Sequence, residues 1–263
     1  THDDLDRLLT GGTPPHPASK VGPPADHAVE ATAETVRGVR RRIAERLTAT
    51  WSDVPHIKYV DAVDVTELER LRAELNASGD APDGVRLTTL AFVTRATAIA
   101  CTEQPRLNAH YLHGDRSLTT FGSVNVGIAT QTDDGLLVPV VRRVETRGIW
   151  DLAAEIARVA TAARDGSATR DELSGSTITI TSLGVLGGLV TTPLLNAPEV
   201  AIVGVNKIET RPVWHDGAFR PRRMMNLSSS FDHRIVDGWD AAVFVQRIKS
   251  LLEVPALLFV GHP

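Results

Sequence analysis

Two short stretches of this 263-residue sequence gather side chains able to move protons and hold charge. In Phe231-Asp-His-Arg-Ile-Val-Asp237-Gly238, an imidazole stands one residue after one carboxylate and four before another. A hydroxyl-rich run, Ser228 to Ser230, precedes the cluster and an apolar pattern of helical spacing follows it, so His233 falls on a strand-to-helix connection. A lone histidine in a polar turn is ordinarily a solvated side chain. The crowding of Asp232, Arg234 and Asp237 around this one favours a tuned proton-transfer group instead. The second stretch, Thr179-Ile-Thr-Ser-Leu-Gly-Val-Leu-Gly-Gly188, reads as a strand that ends in hydroxyls and three glycines. Its structural reading is a tight, backbone-permissive turn. Its functional reading is that Thr181, or its neighbour Ser182, offers a hydroxyl to a developing oxyanion. The glycines do not spell a phosphate-cradling loop, which argues against nucleotide hydrolysis and dinucleotide binding.

The remaining reactive side chains are less promising. Cys101 is the only cysteine, so neither an intramolecular disulfide nor a thiolate zinc site can form, and its Ala/Thr/Ile surroundings make it a small core residue. His110 and His113 lack a glutamate at metalloprotease spacing, and no metal site is expected. A net charge of -4 without long runs of one sign gives no footprint for nucleic acid or an anionic membrane. No apolar run approaches the roughly 20 residues of a membrane span, and the acidic start is unlike a signal peptide, so a cytoplasmic location is expected. None of the four lysines sits in the Asp-Lys hairpin setting of a lysine bearing a swinging prosthetic arm.

The elements that must position these groups follow from periodicity. Residues 1–10 carry an N-capping threonine and a short helical pattern, and residues 11–35 are rich in Pro and Ala, an extended semi-rigid linker. From residue 36 to 263 the sequence reads as one domain. Val36, Val39, Ile43, Leu47 and Trp51 recur at helical spacing opposite a set of arginines, predicting an amphipathic helix ended by Pro55. A strand over 57–65 leads into a capping box, Thr66-Glu-Leu-Glu69, and a second helix. A loop over 77–86, a helix over 88–104, strand patterns over 107–113, 117–121, 124–128 and 136–141, and a helix over 149–164 follow. Strands at 177–181, 199–205 and 223–230 and a helix over 238–253 complete the domain. Strands mixed with a few helices, without βαβ alternation, predict an α+β domain with a mixed or antiparallel sheet.

Phe-Asp-His-Arg-Ile-Val-Asp-Gly, together with Pro198-Glu-Val-Ala-Ile-Val-Gly-Val-Asn-Lys207 and Thr179-Ile-Thr-Ser-Leu-Gly184, resembles the catalytic domain of the dihydrolipoamide acyltransferases of 2-oxo acid dehydrogenase complexes. Arg41-Arg-Ile-Ala-Glu-Arg-Leu47, Gly135-Leu-Leu-Val-Pro-Val140 and Leu251-Leu-Glu-Val-Pro-Ala-Leu-Leu258 extend the resemblance from about residue 36 to the end. It implies a chloramphenicol-acetyltransferase-like fold, a mixed sheet flanked by helices, assembled as homotrimers that build a larger hollow core. Residues 1–10 resemble the last helix of a peripheral subunit-binding domain. The lipoyl group is then expected from a separate domain outside this sequence, and the 2-oxo acid decarboxylase and dihydrolipoamide dehydrogenase subunits are expected partners.

The implied reaction carries an acyl group from S-acyl-dihydrolipoamide to coenzyme A. An imidazole of pKa about 6.5 lies within about two units of a thiol near 8.5, a gap a positioned base bridges at neutral pH. The resemblance makes His233 the general base, Thr181 the oxyanion donor and Asp237 a residue that holds the site in shape. It also suggests coenzyme A contacts from Arg72, Thr88, Ser182 and Asn206. Tyr59-Val-Asp-Ala-Val-Asp-Val-Thr-Glu-Leu68 and Val190-Thr-Thr-Pro-Leu-Leu-Asn196 resemble the branched-chain members, whereas Thr181 resembles the succinyl-transferring ones; the branched-chain reading is favoured over acetyl or succinyl. A free-standing antibiotic acetyltransferase and a core protein without activity are the competing readings; the linker speaks against the first and the intact His233, Asp237 and Thr181 against the second.

Overall fold

Along Ile178-Thr-Ile-Thr-Ser182, Ala201-Ile-Val-Gly-Val-Asn206 and Leu227-Ser-Ser-Ser-Phe231, small or polar residues alternate with residues that are mostly apolar. A period of two sends them to opposite sides of a sheet. The computed structural model describes residues 32–79, 81–133 and 135–260, so the helix expected over 1–10 and most of the linker lie outside the described residues. The helices are α1 (Gly38–Asp53), α2 (Thr66–Ala77), α3 (Thr89–Glu103), α4 (Ile149–Arg164) and α5 (Gly238–Glu253). The strands are β1 (His56–Asp64), β2 (Ala109–Leu112), β3 (Ser117–Thr120), β4 (Val126–Thr132), β5 (Gly135–Leu137), β6 (Val140–Val141), β7 (Ile178–Ser182), β8 (Ala201–His215) and β9 (Ala218–Asp232). Residues 37 onward form one compact unit.

The main sheet runs β1-β9-β8-β7-β4-β5, with β6 also on β4; β4-β7-β8 are parallel and the remaining pairs antiparallel. A mixed sheet with helices is the expected α+β architecture. On one face Ile178, Ile180, Val203, Leu227 and Phe231 are buried, with α5 packed on β1 and β9 and α4 on β4. Phe231 meets Phe244 of α5 edge to face at 6.2 Å. Helix α3 lies between α4 and α5, and every residue from Ala91 to Cys101 is buried, Thr94, Arg95 and Thr97 included, so it is covered on all sides rather than on one face. The opposite face presents Thr179, Thr181, Gly204, Asn206, Ser228 and Ser230, and the segment from Leu183 to Asn196 crosses it.

Several local expectations need correction. The strands expected at 199–205 and 223–230 are the inner halves of one 15-residue hairpin pair, closed at Asp216-Gly217, where both residues have positive φ. Asp-Gly is a strong hairpin signal, but charges and the facing Pro212 and Pro221 masked the outer halves. The capping box does not form. Thr66 is the first helical residue and its hydroxyl donates to Asp64 (2.6 Å), while Glu69 accepts from Arg72 and Thr89. Pro139 splits the strand expected over 136–141 into β5 and β6. The apolar stripe of α1 is not a core face in this chain: Leu47 is 42% and Trp51 62% exposed, and only Thr50 is buried.

At Gly204 the sheet and the crossing segment leave no room for a side chain. A Cβ there would lie 2.5 Å from Ser228 O and 2.9 Å from Thr191 Oγ1. Gly204→Ala is expected to cost about 1–3 kcal/mol through overpacking against backbone, read as a lowered urea midpoint with an unchanged slope.

Candidate active site

Strand β9 ends at Asp232 and α5 begins at Gly238, so His233 occupies the connection on which the sequence places it. Two backbone bonds fix the turn: His233 N–H donates to Pro55 O (2.9 Å) and Val236 N–H to Asp232 O (2.9 Å). Asp232, 2% exposed, accepts a forked pair of bonds from Arg234, Nε to Oδ1 at 2.9 Å and Nη2 to Oδ2 at 2.6 Å. Arg234 in turn lies 4.8 Å over the Tyr111 ring, and its Nη1 is 3.3 Å from His113 Nδ1. The hydrogen bonds to the Asp232 carboxylate raise the Arg234 pKa further. His113 therefore has a hydrogen-bonding place beside the cluster, and His110 bonds Ser176 O through Nε2 (2.8 Å). Among the described residues no group of three or more His, Cys, Asp or Glu is placed to hold a metal ion.

The decisive contact is His233 Nδ1 to Val236 O at 3.1 Å. A carbonyl can only accept, so Nδ1 carries the proton and the Nε2 lone pair is left to take one from outside. The imidazole is exposed in the single chain. Asp237 is the N-cap of α5 without a side-chain capping bond, and it too is exposed.

Thr181 and Ser182 end β7 on opposite faces of the sheet. Thr181 is paired in register with Gly204, which is paired with Ser228, which is paired with Val60, so one row crosses four strands. The Ser182 hydroxyl is engaged locally, accepting from Gly184 N–H (3.2 Å). Asn206, 3% exposed, lies on the Thr181 face; its Oδ1 accepts from Ser228 Oγ (2.7 Å) and its Nδ2 is a buried donor without a partner. The two remaining candidates are placed differently. Arg72 sits on α2 in a two-bond pair with Glu69 (2.9 and 2.8 Å), and Thr88 is the exposed N-cap of α3, accepting from Ala91 N–H. Cys101 is fully buried, burial pushes its thiol pKa up, and it is no nucleophile at neutral pH.

Glu199 is a polar centre that the sequence reading did not single out. It is 3% exposed and accepts from Ser176 Oγ, from Thr179 Oγ1 (2.6 Å) and from Asn196 Nδ2 (2.8 Å). Desolvation pushes its pKa up to about 7, against those three bonds, which pull the other way. A glutamate directly ahead of the apolar run Val200–Val205 was the available signal.

Comparison with known proteins agrees with this geometry. The family model for 2-oxoacid dehydrogenases acyltransferase (catalytic domain) matches residues 28–260. The chain belongs to that family. It is 51% identical over 261 residues to the lipoamide acyltransferase component of the branched-chain alpha-keto acid dehydrogenase complex of Pseudomonas aeruginosa, covering 98% of this chain and 60% of that protein. The corresponding Pseudomonas putida protein is 50% identical, and again this chain spans 60% of its length. The dihydrolipoamide acetyltransferase of Azotobacter vinelandii superimposes with a TM-score of 0.82 at 39% identity, over 90% of this chain and 98% of that one. Chloramphenicol acetyltransferase, at 13% identity over 79% of this chain and 94% of that one, reaches a TM-score of 0.50 and so shares the fold, as the sequence led us to expect.

Glu199 has a folded pKa above the ordinary carboxyl value. The unfolded chain therefore binds fewer protons between about pH 4.5 and 7, and stability falls as pH rises through that window. Glu199→Gln removes this slope: parent and variant are expected to diverge by roughly 1–3 kcal/mol in the variant's favour between pH 5 and pH 8, measured by denaturant unfolding at each pH.

Proposed function

We propose that this chain transfers an acyl group from S-acyl-dihydrolipoamide to coenzyme A, with His233 as general base. The observation that carries the reading is the Nδ1–H bond to Val236 O, which presents Nε2 unprotonated to a substrate. Nε2 takes the proton of the coenzyme A thiol, and the thiolate attacks the acyl carbonyl carbon. The oxyanion of the tetrahedral intermediate is stabilised by the Thr181 hydroxyl. Collapse breaks the bond to the dihydrolipoamide sulfur, which recovers the proton from His233. One thioester replaces another, so the protein supplies acid–base chemistry and charge stabilisation and needs no covalent intermediate.

The Azotobacter vinelandii structure is described as an investigation of the role of a serine, a histidine and an asparagine in the catalytic mechanism of that enzyme. There the histidine follows the serine by 52 residues and the asparagine follows the histidine by four. Thr181, His233 and Asp237 stand at the same separations here, which supports a hydroxyl donor, a base and a polar residue in matching roles. Asn206, with its unpartnered buried donor, is the coenzyme A contact favoured by placement; Ser182 lies on the other sheet face with its hydroxyl engaged by Gly184, Arg72 would have to share its guanidinium with Glu69 to reach a phosphate, and Thr88 would use a hydroxyl that already caps α3.

The Pseudomonas aeruginosa and Pseudomonas putida relatives, 51% and 50% identical, act, by name, in branched-chain complexes, whereas the Azotobacter vinelandii acetyltransferase of a pyruvate complex is 41% identical. This supports branched-chain acyl groups. A solved relative at 39% identity is the cubic core of a pyruvate dehydrogenase multienzyme complex. With the exposed apolar stripe of α1 and the exposure of His233 in one chain, it supports a homotrimer whose neighbouring subunit completes the site and packs into a larger core. A lipoyl domain, a 2-oxo acid decarboxylase and dihydrolipoamide dehydrogenase are the partners this assembly would serve. No helix among the described residues is long and apolar enough to cross a membrane, in keeping with a cytoplasmic site of action.

Acyl transfer from isobutyryl-, acetyl- and succinyl-coenzyme A to free dihydrolipoamide tests the reading. Isobutyryl-coenzyme A is the expected best donor, and His233→Ala is expected to lower kcat by about 10² to 10⁴ without loss of the oligomer seen by light scattering. Thr181→Ala is expected to lower kcat by about 10² to 10³ with KM nearly unchanged, because an oxyanion donor acts in the transition state. Full activity in the His233→Ala variant would show that His233 is not the base, and a parent inactive with all three donors would favour the reading of a structural core without activity.

A further inference from the structure

The segment joining β7 to β8 is tied at successive points to the polar face it crosses. Leu189 O accepts from Asn226 Nδ2 (2.8 Å), Thr191 N–H donates to Ser228 Oγ (3.3 Å), Leu195 N–H donates to His56 Nε2 (3.2 Å) and Asn196 Nδ2 donates to Thr179 Oγ1 (3.2 Å). It behaves as a strap that starts directly after Thr181 and Ser182. At Gly204, the register partner of Thr181, an added Cβ would meet Ser228 O of the sheet at 2.5 Å and Thr191 Oγ1 of the strap at 2.9 Å, so only a glycine fits. Three buried polar atoms along the strip, Thr191 Oγ1, Asn206 Nδ2 and Ser230 Oγ, have no partner. Opening the strap would let water reach them, so closure needs a counterweight.

His56 is placed to supply it. Its Nδ1 lies 2.8 Å from Val54 O, so Nδ1 carries the proton, and the bare Nε2 accepts the Leu195 N–H. Both ring nitrogens are thus engaged in the neutral form. The Leu195 side chain is closed into a small buried cluster with Val54 and Ile202, beside the same ring. One residue earlier, Pro55 O accepts the His233 N–H. His56 at the start of β1 and Pro55 just before it therefore hold the strap that follows Thr181 on one side and the His233 turn on the other.

We propose that His56 is a positioning residue, a two-sided latch that fixes the strap to the sheet and thereby sets Thr181 relative to His233. It does not touch the reacting atoms. The proposal rests on the acyl-transfer reading for its effect on rate, but not for the latch itself.

The test compares the assembled parent with His56→Phe, which keeps a ring to stack on Trp51 (6.1 Å) but has no nitrogen, and with His56→Gln, which supplies one acceptor and one donor. Hydrogen exchange over 189–196 is expected to quicken about tenfold or more in His56→Phe and to return toward the parent rate in His56→Gln. In the acyl-transfer assay, kcat is expected to fall about tenfold in the Phe variant with both KM values within about twofold, and to recover in the Gln variant. Should the Phe variant not assemble, His56→Leu replaces it in the same comparison. Unchanged exchange over 189–196 in the nitrogen-free variant would overturn the latch, and loosened exchange with parental kcat would overturn its positioning role. A parent inactive with every donor would sink the acyl-transfer reading, while the exchange comparison would still decide the latch.

Discussion

An imidazole acts as a base in one direction only when its second nitrogen is committed, and in this chain the commitment is made by Val236 O. The bond spans three residues and therefore depends on the turn from Asp232 to Val236 keeping its shape. That turn is held from three sides: by Pro55 O at the His233 amide, by the forked Asp232–Arg234 pair, and by Tyr111 and His113 against the guanidinium. A strand end, an ion pair and an aromatic face all converge on the orientation of one proton.

The sheet that carries this turn is divided by chemistry. Its helix-covered side is packed with branched and aromatic side chains, and the dominant stabilisation there is removal of apolar surface from water. The other side is lined with hydroxyls, an amide and a glycine, and is covered by a strap that bonds to it through backbone groups. Such a surface gains little from burial and places many donors and acceptors near the end of β7. Buried polar groups hold only as a satisfied set, and Glu199, with three donors around it, is the largest such set on this side. Its high pKa follows from the same burial.

What the single chain leaves uncovered is equally informative. The apolar stripe of α1, Leu186 at 86% and Val185 at 94% exposure on the strap, and Trp239 at 79% beside Asp237 all lie open. Apolar side chains left open around a candidate site, with His233 itself exposed, suit a surface that a partner covers. Such cover would also remove water from His233, which strengthens every electrostatic contact there.

The sequence by itself determined the chemistry-bearing residues and most of the elements that carry them, because both are local. Four-residue spacing around His233, the strand-end hydroxyls at Thr181 and Ser182, and the helices at 149–164 and 238–253 are all written in short-range pattern. The outer hairpin halves were missed because charge and proline outweighed an Asp-Gly turn signal, and the capping box failed because Asp64, Arg72 and Thr89 offered better partners to Thr66 and Glu69. Only the tertiary structure decided which nitrogen of His233 is free, why a glutamate at 199 is buried, and that His56 and Leu195, 139 residues apart, share a hydrogen bond. Such contacts depend on strand order and register, which long-range pairing fixes and no local pattern encodes.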